Sequence, residues 1–324
     1  MRSGILGTLL QLCAVIAFGQ TNAEIVMAVQ SPESLKSYLT SHNKIDWAAI
    51  RSALGLTSED FFAPCGGDVP LNEAPCSVEI LSISKPSQAI VTVRTTPSSI
   101  AIEVLRYSQL PVNVWKFVAE QNERSSYATE TATELRQVNS KPFLLLSRDR
   151  SGAGVGIRDT QQLWYDLALP GFEPVFSVSS EAHQFRFGFG VSRDIQSTLR
   201  FSQTGERERI EVTLHVRFSG LFGFIQDRDF LGEFARGAGQ NQFTLVRAYS
   251  GLDRRISIPN EDFEALADVQ QGPSNEKLLA YAFPGLQKIA AGSDEEARGW
   301  LRFMLEHTED TPEKRALLKL LDRK

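Results

Sequence analysis

The chain has 324 residues, with 34 Lys and Arg against 39 Asp and Glu, a formal charge of −5 and 42% apolar residues. A chain of this size buries roughly three quarters of its unfolded surface and needs no metal to fold, and its apolar content excludes extended disorder. The acidic balance, with a pI of about 5.6, lacks the basic face of a dedicated nucleic-acid binder, so no nucleic-acid partner is expected.

Residues 1–23 carry the three-part layout of an export signal. Arg2 supplies the positive start, and Ile5 to Phe18 is apolar apart from small residues and Gln11. Small residues precede two cleavage points, after Gly19 and after Ala23. The stretch is shorter than the roughly 20 residues that cross a bilayer, and no later stretch approaches about 18 apolar residues. The mature chain is therefore expected to be soluble, without a transmembrane segment, in a periplasm or outside the cell. Leu12 is too bulky before Cys13 for a lipoprotein signal. Cleavage removes one Arg and no acid, which takes the charge from −5 to −6. It also removes Cys13 and leaves Cys65 and Cys76, an even pair that predicts a disulfide in an exported chain. The ten residues between them, Gly66 to Pro75, are turn-rich and include no His, which argues against a redox or metal pair. Such a bridge contributes about 2–3 kcal/mol.

Residues 24–76 read as an N-terminal helical segment. Ser31-Pro32-Glu33 is an N-cap followed by a first-turn Pro and an acid, and Leu35, Tyr38 and Leu39 follow at helical spacing. A second helix is expected from Asp46 to Leu54, with Trp47 as a core residue, and a short turn at Thr57 to Asp60.

From Ser77 to Ile258 the apolar pattern changes to period two, which predicts a β-rich domain. Ala89 to Val93 and Ile100 to Leu105 read as a hairpin around Pro97-Ser98. Val114 to Val118, the apolar run Phe143 to Leu146, Gln162 to Leu167 and Pro174 to Val178 read as further strands. Phe185 to Val191 alternates most cleanly and reads as one strand. Thr198 to Ser202 is expected to pair with Ile210 to Phe218 through a turn near Thr204-Gly205-Glu206. Phe243 to Arg247 and Arg255 to Ile258 complete the set. The tripeptide Ser147-Arg148-Asp149 recurs at Ser192-Arg193-Asp194, but the flanks do not match, so the recurrence is read as chance.

Helices return in a C-terminal segment, 259–324. The sequence predicts helices over Asp262 to Val269 and Glu276 to Ala282, the latter stopped by Pro284-Gly285. Ser293 to Glu296 is a capping box for Ala297 to Glu306. Thr311-Pro312-Glu313 opens a last helix with Leu317, Leu320 and Leu321 on one face. Segregated helices and strands predict an α+β fold. Its centre is an antiparallel β-rich region, a meander, sandwich or partial propeller, flanked by N-terminal and C-terminal helices.

The chemistry is sparsely signed. Gly152-Ala153-Gly154-Val155-Gly156 has its third Gly one position too early for a dinucleotide fingerprint, and a strand pattern follows it where a helix is needed. It reads as a hairpin loop, and no cofactor is implied. None of His42, His183, His215 and His307 sits at zinc spacing, so no metal site is expected. His215 falls on the polar side of its strand. His183 is a weak candidate for a general base, since imidazole titrates near neutrality. No G-x-S-x-G elbow is present. Arg148, Arg158 and Asp159 flank the glycine loop with Trp164 beyond, and this grouping is the candidate ligand or partner site.

Two functions remain. The first is a non-enzymatic, exported binding or envelope-associated module whose ligand is a protein, a glycan or a small molecule. The alternative is an exported hydrolase of glycans or esters, with a carboxylate or His–acid site assembled from distant strands. Side chains converging in a pocket discriminate between them.

Overall fold

The computed structural model describes residues 23–41, 47–55, 77–84, 87–94, 100–110, 115–125, 131–152, 157–169, 172–185, 190–204, 207–269 and 271–323. The signal segment up to residue 22, Cys65, Cys76 and the turn expected at Thr57 to Asp60 lie outside them. The fold is α+β, with helices at both ends of a β-rich middle. Two sheets form, each an antiparallel meander, and neither is a closed barrel.

The chain divides into two compact units. One comprises residues 1–126 with 133–135 and 170–173, and the other comprises 127–132, 136–169 and 174–324. The division therefore falls inside the span 77–258, expected as one β-rich domain. The reason is pairing: β4 and β5 are neighbours in sequence but belong to different sheets, and each sheet has its own helices.

The first unit holds α1 (Pro32–Ser41), α2 (Trp47–Leu54) and strands β1 (Ser77–Ser84), β2 (Ser87–Arg94), β3 (Ile100–Gln109) and β4 (Trp115–Ser125) in sequential order. Ser31 caps α1 as expected, its Oγ accepting from Ser34 N at 3.1 Å. Leu35, Tyr38 and Leu39, at i, i+3 and i+4, turn one face inward with Ile25, Ile50, Val91, Leu105 and Tyr107. The β2–β3 hairpin forms with Val91 opposite Leu105. Tyr107 Oη donates to Val29 O at 3.3 Å, and burial raises its phenol pKa.

The second unit is built on a nine-stranded sheet in sequential order, residues 133–135 of its edge strand excepted. It runs β5 (Thr131–Val138), β6 (Lys141–Gly152), β7 (Ile157–Asp166), β8 (Phe176–Phe185), β9 (Val191–Thr204), β10 (Arg207–Gly220), β11 (Gly223–Arg236), β12 (Thr244–Ser250) and β13 (Ile256–Ile258). Helices α3 (Asn260–Ala267), α4 (Asn275–Ala291), α5 (Glu295–Glu306) and α6 (Pro312–Leu321) follow. In β10, Ile210, Val212, Leu214, Val216 and Phe218 are all buried, while Glu211, Thr213, His215 and Arg217 take the other face. The core joins that apolar face to Phe263, Leu266, Leu279, Leu286, Leu301, Leu305, Leu317 and Leu321 of the four helices. Each such side chain contributes roughly 1.5–3 kcal/mol of transfer free energy. Across β9 and β10 one face of the sheet is thus packed against the helices and the other carries polar groups, whereas on β6 and β7 the second face buries Leu144, Leu146, Leu163 and Tyr165.

Three expectations change in this unit. Phe185 to Val191 is not one strand: β8 ends at Phe185, β9 begins at Val191, and the two pair antiparallel with Phe185 opposite Ser192. The chain reverses between them, and residues 186–189 lie outside the described set. Asp294, not Ser293, caps α5, its Oδ1 accepting from Ala297 N at 3.0 Å. Pro284 does not stop its helix, because α4 runs on to Ala291. Proline removes one helical hydrogen bond and crowds the carbonyl four residues back. The Gln226 carboxamide of β11 fills the gap: Oε1 accepts from Gly285 N at 2.9 Å, and Nε2 donates to Tyr281 O. Gly285 is needed there, since a Cβ would stand 2.5 Å from Ile225 O.

Two arginines, the buried Arg193 and the half-buried Arg298, fasten helix ends. Arg193 of β9 donates to Leu266 O at 2.8 Å and Asp268 O at 2.9 Å, and to Gln184 Oε1 at 2.6 Å. Its positive charge thus lies at the negative C-terminus of α3. Arg298 donates to Ala290 O and to Leu321 O, the latter at 2.7 Å, and so ties the C-terminal ends of α4 and α6 together.

Candidate functional site

Register brings distant residues into rows on the polar face of the nine-stranded sheet. Arg158 of β7 lies opposite His183 of β8, and His183 opposite Asp194 of β9. Asp194 lies opposite Arg217 of β10, and Arg217 opposite Asp227 of β11. A second row, two residues along, runs Asp149, Thr160, Glu181, Gln196, His215, Asp229. A spacing of two keeps both rows on one face. Long alternating strands with few bulges make this possible, because each strand repeats the same inward–outward choice.

His183 Nδ1 lies 2.6 Å from Asp194 Oδ1, with both side chains 46% exposed. An ionised carboxylate only accepts, so Nδ1 is the donor in this contact. His215 repeats the arrangement, with Nδ1 2.8 Å from Asp229 Oδ1. Arg217 Nε donates to Asp227 Oδ1 at 3.1 Å, and that hydrogen bond raises the guanidinium pKa. Exposed ion pairs of this kind add little to the stability of a fold.

A pocket of about 230 Å³ opens between β7, β8 and β9. Arg158, Thr160, Glu181, His183, Asp194 and Gln196 supply its polar groups, and among the described residues no Phe, Tyr or Trp lines it. The nearby hydroxyls are engaged elsewhere. Thr160 Oγ1 donates to Asp149 Oδ1 at 2.6 Å, Ser180 Oγ to Thr160 O at 3.0 Å and Ser197 Oγ to Ser179 O at 2.5 Å. Among the described residues no group of three or more His, Cys, Asp or Glu is placed to hold a metal ion. No described helix is long and apolar enough to cross a membrane.

The four residues expected as a ligand site are not brought together. Arg158 is exposed and lines the pocket. Asp159 and Trp164 are buried, at 1% and 2% exposure. Trp164 belongs to the core, its ring 4.8 Å from Phe201 and 6.3 Å from Phe143. Arg148 turns to the face opposite Asp149, where its guanidinium donates to Gln161 Oε1 at 2.9 and 2.6 Å. The glycine loop joins two paired strands, with Gly152 opposite Ile157. No helix N-terminus follows it, so the setting of a dinucleotide site is missing. Residues 153–156 themselves lie outside the described set. His183 does gain an acid, Asp194, but no described hydroxyl nucleophile bonds to its ring. Glu181, Asp194, Gln196, Arg217 and Asp227 were missed as site residues. Their polar-side alternation was visible, but only register shows that they share rows.

No protein-family model matches the chain, and searches of curated proteins and of solved structures return no match.

Proposed function

We propose that this protein is an exported, soluble, non-enzymatic binding module that takes a hydroxyl-rich ligand, a glycan segment, on the polar face of its nine-stranded sheet. The observation that carries the reading is the row Arg158, His183, Asp194, Arg217, Asp227 meeting a pocket with polar side chains from three strands. Carboxylates accept from sugar hydroxyls while Arg158 and Gln196 donate to them. These groups add little stability in their exposed positions. Export rests on residues 1–23, and either cleavage point leaves the buried Ile25, Ala28 and Val29 in the mature chain.

The test uses protein recovered from outside the cytoplasm. Its intact mass is expected to show cleavage after Gly19 or Ala23 and, without reduction, a Cys65–Cys76 bridge. A chain that keeps Met1 removes the export half of the proposal. Neutral and acidic oligosaccharides are then titrated calorimetrically. Arg158→Ala and Asp194→Asn are expected to weaken binding at least about tenfold, or about 1.4 kcal/mol, with unchanged circular dichroism. Binding untouched by both variants places the ligand elsewhere.

The His183–Asp194 contact favours one second reading, a hydrolase with His183 as general base. Release of product from the same oligosaccharides or from aryl esters, abolished in His183→Gln, would replace the binding reading with this one.

A further inference from the structure

The turn between β10 and β11 has an unusual composition. Gly220 pairs with Gly223, so Leu221 and Phe222 are the two central residues of a tight hairpin turn. Such positions favour Asn, Gly and Asp, which suit the backbone and solvent. Here Leu221 is 68% exposed, and Phe224, just past the turn, is 60% exposed. Phe303 on α5 is exposed as well, one turn from Trp300, whose ring packs edge-on against Phe222 at 6.3 Å. Beside this tip lies a groove of about 440 Å³ with Phe222, Ile289 and Trp300 in its walls. Lys288 and Asp294 also line it, so its charges are of both signs.

We propose that this face joins two copies of the chain about a two-fold axis, with Leu221 of each copy seated in the groove of the other. An apolar knob beside an apolar hole is self-complementary under a two-fold, where each copy gives and receives the same contact. The charges fit the same partner. Lys288 and Asp294 both line the groove, and a patch carrying both signs can be satisfied by its own rotated image. A lipid surface offers no such match, since Asp294, Glu295 and Glu296 in one stretch oppose anionic headgroups. The exposed parts of Leu221, Phe222, Phe224 and Phe303 amount to on the order of 400 Å² per copy, given about 150–250 Å² for a whole aromatic side chain. That is about half of the roughly 800 Å² each partner gives to a stable interface, a suitable apolar core with a polar rim.

Sedimentation velocity on the full mature chain, from about 1 µM to about 1 mM, tests this. A dimer is expected, weakened at least about tenfold by Leu221→Asp. That variant puts a favoured turn residue at the turn, and circular dichroism checks the fold. Phe224→Ser is the second variant, and Lys288→Gln and Asp294→Asn are each expected to weaken the dimer, Asn keeping the helix cap. A chain that stays monomeric across the range overturns the proposal. A dimer indifferent to both Leu221→Asp and Phe224→Ser also overturns it. So does a monomer that floats with phosphatidylcholine vesicles only while Leu221 is present, which assigns the tip to lipid.

Discussion

The Glu208 carboxylate is held by two cations on neighbouring strands. Arg236 Nε donates to its Oε2 at 2.7 Å, and Lys141 pairs with its Oε1. Arg236 in turn reaches Asp166 Oδ2 at 2.5 Å, with both of those side chains almost fully buried. Burial is the largest single influence on Glu208 and pushes its pKa up, but the hydrogen bonds and charges of Lys141 and Arg236 together outweigh it and hold the pKa below the usual value. A carboxylate depressed in the folded state adds stability above its unfolded pKa of about 4.3. That stability is lost as pH falls through the lower folded value. Glu208→Gln is therefore expected to cost on the order of 3 kcal/mol at pH 7, and its stability should fall less steeply below about pH 4 than that of the natural chain. Denaturant titrations at neutral and acid pH read both effects. Parallel pH curves for the two proteins would show that Glu208 is not the group involved.

At the scale of elements, α4 shows how a neighbouring strand can override a local breaker. Pro284 carries no N–H to donate, and Gly285 donates to Gln226 instead of to Tyr281 O. Gln226→Leu leaves Gly285 N–H buried without that acceptor, at a cost of about 1–3 kcal/mol. The carbonyl of Tyr281 keeps Arg228 as a donor at 3.0 Å, so the loss stays at the amide. Pro284→Ala lets the helix close its own ladder. The double variant is therefore expected to cost less than the sum of the singles, and strict additivity in a double-mutant cycle would dissociate Gln226 from the kink. The same example marks a limit of sequence reading. Pro-Gly inside an amphipathic run signals a stop locally, and nothing near residue 284 announces the amide from residue 226. The hairpins of β2–β3 and β9–β10, the buried run Phe143 to Leu146 and the caps at Ser31 and Thr311 were legible, because each is decided within a few residues. Residues 131–138 carry too few apolar side chains to signal a strand, and Asn139 and Ser140 form their turn with positive φ without the usual Gly. The candidate site was legible only at Arg158 and His183. Asp159 alternates away from them, and Trp164, although in step with Arg158 along β7, packs into the core against Phe143 and Phe201, while Asp194 and Arg217 reach the site only through register.

At the scale of the whole molecule, the two compact units differ in how their cores are built. The core of the first combines α1, α2, the residues around Ile25 and the sheet positions Val91, Leu105 and Tyr107. The core of the second draws every side chain from residues 138–321. It spans the sheet face and all four C-terminal helices, and Arg193, Arg298 and Gln226 supply its helix ends and its kink from within the same unit. Cooperative unfolding requires a continuous core, and this unit has one inside its own chain segment. A fragment of residues 127–324 is therefore expected to fold alone, with a single sigmoidal urea transition and dispersed amide resonances. At about 200 residues its denaturant slope should match that of one domain of its size, since the slope scales with the surface exposed on unfolding. A fragment that stays collapsed without a cooperative transition would show that the sheet depends on residues 1–126. If it folds, glycan titration and sedimentation on the fragment become cleaner tests. The row from Arg158 to Asp227, the Leu221 tip and the groove all lie within it, and any binding or dimerisation it retains belongs to this unit.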